Sequence, residues 1–323
     1  MHRHKALTVT NVIGYNATVQ VAKDSRLLES NGPSIGNFVF DMDLNRKIEL
    51  AIKLLQSIPQ DGPIELSYSG GKDSDVILEL AKMAGIPFEA IYKNTTIDPP
   101  GTIKHCKEKG VTIFEPKTTF SRLLETKGMP SRFRRFCCSD LKEYKVYDRA
   151  IQGIRRCESV KRAKRYTEPE ECRVYPNKEK VRVYFPILEW TDADVEQFIK
   201  MRNIKCAPVY YDESGNFHVE RRLGCIGCPL KHDIGLSDYE KYPKLLKVHI
   251  KAYQKYLDAN KENKFPKFLN GSAYNGFFYR LFCRSTEEYV MRIGGVFFPN
   301  KRLTQNNFWN NILVLNYDIY NKH

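Results

Sequence analysis

Residues 64–84 run Ile64-Glu-Leu-Ser-Tyr68, then Ser69-Gly-Gly-Lys-Asp-Ser74, then Asp75-Val-Ile-Leu-Glu-Leu-Ala-Lys-Met-Ala84. The first block predicts a short strand and the last a helix over Val76 to Met83, stopped by Gly85 and Pro87. SGGKDS is the turn between them. Gly70 and Gly71 can take backbone angles closed to other residues, so main-chain N–H groups can approach an anion closely. Lys72 adds positive charge at the same place, and the following helix contributes its positive N-terminal end. Ser69, Asp73 and Ser74 supply hydroxyl and carboxylate oxygens for phosphate and Mg²⁺. The spacing is narrower than the GxxxxGK[ST] of a Walker A loop. The plainer alternative is an ordinary Gly-Gly turn, and the strand–loop–helix context speaks against it.

Outward from this unit, Leu44, Ile48, Ala51, Ile52 and Leu55 recur at three and four and describe one face of a helix over 43–56. Downstream, Phe88 to Tyr92 and Val111 to Phe114 read as strands, with helix formers around Lys104 to Lys109 between them. This alternation predicts an α/β fold, a doubly wound, mostly parallel sheet covered by helices. Tyr147 to Ile154 and Val181 to Phe185 supply further strands, and the polar stretch 160–180 between them reads as a mobile loop. Thr191 and Asp194 form a capping-box variant that starts a helix over 192–202. Tyr239 to Ala259 reads as a longer helix. The expected organisation is an N-terminal appendage over 1–40, a nucleotide-binding and cluster domain over 41–235, and a mainly helical C-terminal region over 236–323.

The chain of 323 residues is long enough for one large α/β domain or two smaller ones. Its 42% hydrophobic and 28% charged residues fit a globular protein. No window approaches the roughly 18 apolar residues of a membrane span, and the N-terminus lacks the pattern of a secretory signal, so the expected location is cytoplasmic. The net charge of +14 attracts polyanions, either nucleic acid or the phosphates and sulfates of a small ligand. Nine cysteines in such a chain are read as metal ligands or redox groups before disulfides.

Four of these cysteines are paired in sequence. Cys137 and Cys138 are adjacent, and Cys225 and Cys228 form the CxxC of GCIGCP. Two thiolate pairs can hold a [4Fe–4S] cluster or a zinc ion, or remain unligated redox thiols. If the adjacent pair lies on a strand, its side chains point to opposite faces, which suits the separate iron corners of a cluster better than one small ion. Cys106, Cys157, Cys172, Cys206 and Cys283 stand alone and read as packing residues.

SGGKDS resembles the PP-loop of the ATP pyrophosphatase superfamily. Further blocks follow in order: CCSDLK at 137–142, GIRRCES at 153–159 with Arg162 beyond it, FPILEWTDADV at 185–195, and GCIGCP at 224–229. With SGGKDS they resemble the PAPS/APS reductase family of sulfonucleotide reductases, over about residues 64–230. The double cysteine plus CxxC is similar to the family's iron–sulfur branch. The resemblance implies that Ser69, Gly70, Gly71, Lys72, Asp73 and Ser74 hold the phosphate of ATP, APS or PAPS, with Asp98 in a loop near the nucleotide. It implies Lys142 beside both cluster and substrate anion, Arg155 and Arg162 against the phosphosulfate end, and Cys137, Cys138, Cys225 and Cys228 on a [4Fe–4S] cluster. Arginine and lysine suit such oxyanions on chemical grounds alone, although each could equally be a solvated surface charge. Trp190 reads as a packing residue.

The family's C-terminal ECGLH-like segment, which carries the attacking cysteine, is missing. The last cysteine, Cys283, sits among Phe277, Phe278, Tyr279, Leu281 and Phe282, and is expected to be buried and dispensable. Three readings follow. One is a reductase acting on APS or PAPS with a thiol electron donor. Another uses ATP and a sulfur carrier, with nucleic acid as an acceptor, similar to the DNA phosphorothioation branch. The third is a non-catalytic nucleotide-sensing protein.

Overall fold

The computed structural model describes residues 43–260, except 132–133, 177 and 232–235, together with Ala273. Six strands form one sheet: β1 (Ile64–Tyr68), β2 (Glu89–Lys93), β3 (Thr112–Phe114), β4 (Arg149–Ile151), β5 (Glu170–Val174) and β6 (Lys180–Tyr184), in the spatial order β3-β2-β1-β4-β6-β5. Every pairing is parallel except β5 with β6. The fold is thus the doubly wound, mostly parallel α/β class expected from the alternation of elements. Strand order reverses between β1 and β4, so their carboxyl ends diverge and leave a crevice where open α/β sheets bind ligands.

The central strand β1 is buried on both faces, with Ile64, Leu66 and Tyr68 on one at 3% exposure or less and Glu65 on the other at 2%, as a parallel sheet covered on both sides requires. Helix α1 (Leu44–Gln56) lays Leu44, Ile48, Ala51 and Leu55 against α2 (Lys72–Ala84), whose Val76, Ile77, Leu80 and Ala81 are fully covered. Each such aliphatic side chain contributes about 1.5–3 kcal/mol of burial free energy. Helix α3 (Thr102–Glu108) follows β2. A second apolar cluster joins α4 (Phe120–Lys127) and α8 (Pro243–Ala259) to Ile97, Leu141 and Ile226, and so seats both cysteine segments.

Helix α7 (Asp192–Met201) begins as its sequence predicts. Thr191 Oγ1 accepts from the Asp194 amide at 3.2 Å, and Asp194 Oδ2 accepts from the Thr191 amide at 2.7 Å. The same carboxylate pairs with Lys47 Nζ of α1 at 2.7 Å. Burial raises the Asp194 pKa, but the bonds from Lys47 and Thr191 outweigh it and the net shift is downward. A depressed carboxylate pKa stabilises the fold above the unfolded value of about 4, and the contribution is lost as pH falls through the folded value. Thr191→Ala should lower stability by about 1 kcal/mol, and Asp194→Asn should flatten the acid limb of the stability curve, both read by urea unfolding.

Three expectations change. The stretch 160–180 is not a loop: it holds α6 (Val160–Arg165) and β5, the antiparallel edge strand. The double cysteine lies on α5 (Phe136–Leu141) rather than on a strand. Successive side chains there diverge by about 100°, so both thiols can face one side. Cys157 and Cys172 are exposed rather than packed, whereas Cys106 and Cys206 are buried. Trp190 packs edge-on against Phe198 in the core. The N-terminal 1–40, Cys283 and the residues after 260, apart from Ala273, lie outside the described residues. No helix among the described residues is long and apolar enough to cross a membrane.

Candidate functional site

At the reversal of strand order, Ser69 to Ser74 follow β1, and Gln152 and Gly153 follow β4. They wall a cavity of about 320 Å³ that also receives Glu158, Arg162, Tyr210 and Arg222. Gly70 sits at φ +76°, which favours glycine, and a Cβ there would press on the side chains of Thr102 at 3.0 Å and Leu223 at 3.1 Å. Gly153 lets β4 pass the loop, because a Cβ would meet the Asp73 carbonyl oxygen at 2.9 Å. The Ser74 hydroxyl donates to the Gly71 carbonyl at 2.6 Å and closes the turn. Lys72, Asp73 and Ser74 of the first turn of α2 line the cavity, so the positive end of that helix lies beside it.

Lys72 is buried, with Nζ 3.5 Å from Asp73 Oδ2 and over the Tyr210 ring at 5.5 Å. Arg162 and Arg222 share the Glu158 carboxylate. Burial lowers the Arg162 pKa, with the Arg222 and Arg155 charges acting in the same direction and Tyr166 and Asp73 opposing. Two cations on one anion leave a positive excess at the mouth, which suits a phosphate or sulfate. Arg155 lies elsewhere: it lines neither this cavity nor its neighbour and is 1% exposed. Its Nε is 2.7 Å from Asp73 Oδ1 and its Nη2 2.7 Å from Asp192 Oδ1. The Nε–H is not aimed at Asp73 Oδ1, which makes this contact an ion pair without a hydrogen bond. Nη1 reaches Cys157 Sγ at 3.1 Å. Arg155 therefore braces the Ser69–Ser74 loop through Asp73 and ties it to the start of α7 through Asp192.

A second cavity of about 210 Å³ shares Ser67, Ser69 and Gln152 with the first and is bounded by Tyr92, Lys93, Lys142, Arg173 and Tyr175. The buried Lys93–Glu65 pair, at 3.0 Å, forms part of its wall. Lys142 also lines a third, apolar pocket of about 30 Å³ whose wall contains Cys137, Cys138, Cys225 and Cys228. The four cysteines, with 86 residues between the inner two, thus line one space. Lys142 and Cys225 line this pocket together, and Lys142 Nζ is 4.0 Å from Asp98 Oδ1. Burial lowers the Lys142 pKa, but the Cys225 and Asp98 charges outweigh it and the net shift is upward. Asp98, which accepts a short hydrogen bond from Tyr92, holds Lys142 and lines neither of the two larger cavities. Arg135 Nη2 reaches Cys138 Sγ at 3.4 Å. The Cys225–Cys228 loop is fixed by Ile226 N to Ile97 O at 2.8 Å and by Gly227 N to Asp238 Oδ2 at 2.8 Å.

All four thiols are free, and among the described residues no group of three or more His, Cys, Asp or Glu has the arrangement of a single ion's ligands. The donor set is nevertheless that of thiolate ligation. Sequence reasoning missed Arg222, Arg173 and Tyr210. The pair Arg221-Arg222, just ahead of GCIGCP, was the available signal for the first.

Residues 63–231, just over half of the chain, match the phosphoadenosine phosphosulfate reductase domain model. The chain belongs to this family. Among relatives of the phosphoadenosine phosphosulfate reductase domain is an uncharacterized protein of Methanocaldococcus jannaschii, 31% identical over 208 residues that cover 60% of this chain and 48% of the relative. Sulfate adenylyltransferase subunit 2 of Marinobacter nauticus is 30% identical over 189 residues, 47% of this chain and 60% of its own. The chain thus spans about half to three fifths of these relatives. The phosphoadenylyl-sulfate reductase of Candida auris superposes with a TM-score of 0.37 at 13% identity, covering 51% of this chain and 87% of that one. The FMN adenylyltransferase of Candida glabrata gives 0.39 at 18%, covering 57% and 62%.

Proposed function

We propose that this chain is an adenine-nucleotide-dependent enzyme of sulfur metabolism, acting on an adenylyl (phospho)sulfate or using ATP for sulfur transfer. The observation that carries the reading is the adjacency of three spaces. The phosphate-loop cavity shares residues with the second cavity, and Lys142 joins that one to the four-cysteine pocket. Phosphate groups are held by the Gly70–Gly71 turn, the positive end of α2 and Lys72, with Arg162 and Arg222 neutralising the anion at the mouth. The nucleoside is placed in the adjoining cavity between Tyr92 and Tyr175. Lys142, braced by Asp98, presents a cation where the nucleotide and the cysteines come closest. The family model, a phosphoadenosine phosphosulfate reductase domain, and the name of the curated relative, sulfate adenylyltransferase subunit 2, agree with adenylyl and sulfate chemistry.

Cys137, Cys138, Cys225 and Cys228 would hold a [4Fe–4S] cluster. Their placement around one apolar pocket, two thiols from α5 and two from the CxxC loop, supports thiolate ligation of such a group. When bound, it supplies redox capacity and a fixed charge beside Lys142. Mg²⁺ would bind through the nucleotide phosphates, with Asp73 as the protein oxygen donor.

The test is anaerobic purification, measurement of iron and sulfide, and incubation with ATP, APS and PAPS separately. A brown protein that releases pyrophosphate from ATP, or AMP and sulfite from APS or PAPS, is expected. Pyrophosphate identifies the ATP-dependent branch and sulfite the reductase branch. Failure of all three nucleotides to bind would overturn the reading, and binding without turnover would leave the sensing role.

A further inference from the structure

Helix α6, Val160-Lys-Arg-Ala-Lys-Arg165, buries none of its residues. Val160 is 71% exposed. The helix is capped at its start, where the Arg162 amide donates to Ser159 Oγ at 3.2 Å, and from there it projects beside the mouth of the phosphate-loop cavity, into which Arg162 reaches. Four of its six side chains are cationic. Arg162 is held by Glu158 and Arg165 by Glu171. Lys161 and Lys164 are exposed, and neither has a hydrogen-bond or ion-pair partner among the described residues. Three residues apart on a helix, they are neighbours on one face. Arg165 stacks on the Tyr166 ring at 5.0 Å and adds a cation–aromatic surface at the end of the ridge. A helix with no apolar face is not held by packing, and this one carries uncompensated charge beside the opening of a phosphate site.

We propose that the α6 ridge is a docking surface for nucleic acid, with the phosphate backbone running along Lys161 and Lys164 past the cavity mouth. The net charge of +14 supplies the long-range attraction, and the ridge fixes where it is used. The aromatic and guanidinium surface beside unpaired lysines suits a single strand, whose bases are free to stack. The proposal goes beyond the adenine-nucleotide reading and takes from it only the location of the phosphate loop.

Fluorescence anisotropy of the full chain with labelled 20-nucleotide single-stranded DNA, single-stranded RNA and duplex DNA, each titrated at several salt concentrations, tests it. Affinity should fall with salt and be highest for a single strand. Lys161→Gln/Lys164→Gln should weaken binding at least tenfold and reduce the log–log salt slope by about 1.4, two contacts at roughly 0.7 each. Binding of a labelled ATP analogue, measured on the same samples, should not change. Equal affinity in the double variant, or affinity no greater than for polyglutamate of matched charge, overturns the proposal. ATP binding without oligonucleotide binding rejects the ridge alone. Oligonucleotide binding without ATP binding rejects the phosphate-loop reading alone.

Discussion

Arg155→Met is expected to lower the unfolding free energy by about 3 kcal/mol and to weaken adenine-nucleotide binding, although Arg155 touches neither cavity. The guanidinium is 1% exposed and sits between Asp73 of the phosphate loop and Asp192 at the start of α7. Breaking a buried ion pair by removing one partner costs about 3–5 kcal/mol, because the other charge remains uncompensated. The low end applies here. Asp192 is 56% exposed and can return to water, and Asp73 keeps Lys72 at 3.5 Å. Without its brace, Asp73 is free to turn toward the cavity and oppose the incoming phosphate. Urea unfolding and nucleotide titration of Arg155→Met and Arg155→Lys check both effects. A loss below about 1 kcal/mol in the methionine variant, with unchanged nucleotide affinity, would remove Arg155 from the site's support.

The parallel sheet was legible because its strands alternate with helices that carry clear apolar faces. Leu44, Ile48, Ala51 and Leu55 mark α1, and the capping residues Thr191 and Asp194 mark α7. The strand β5 was not legible: in Glu-Glu-Cys-Arg-Val no residue is buried, so an edge strand carries no hydrophobic alternation. Its register comes from pairing with β6, a contact that local sequence cannot express. Helix α4 had a signal, with Phe120, Leu123 and Leu124 behind the Thr119 cap and before Gly128, and the sequence reading left that segment unassigned. At the site, SGGKDS announced the tight turn between β1 and α2 because the backbone freedom of Gly70 and Gly71 is a local property. The convergence of Cys137 and Cys138 with Cys225 and Cys228 rested on family order, since no spacing rule connects segments so far apart. Whether a basic residue touches a ligand or braces a loop is a question of burial and partners, and that distinction separates Arg162 from Arg155.

Lys72→Ala should weaken adenine-nucleotide binding by about 1.5–3 kcal/mol, roughly 10- to 150-fold, with a smaller effect on stability. Lys72 lines the phosphate cavity, is 3% exposed, and has its ammonium between Asp73 and the Tyr210 ring. Nζ is 3.5 Å from Asp73 Oδ2, at the outer limit of a hydrogen bond, so little of its bonding capacity is used inside the protein. That capacity is available to a phosphate oxygen in a cavity where water screens poorly, and charge-assisted bonds there are stronger than on the open surface. Removing the side chain from the ligand-free protein leaves Asp73 with Arg155, so the fold loses less than the complex does. Isothermal titration with a non-hydrolysable ATP analogue, alongside urea unfolding without ligand, separates the two quantities. Lys72→Arg should recover part of the affinity by restoring charge without restoring the compact ammonium geometry. An unchanged dissociation constant in Lys72→Ala would place the nucleotide phosphates elsewhere than on SGGKDS.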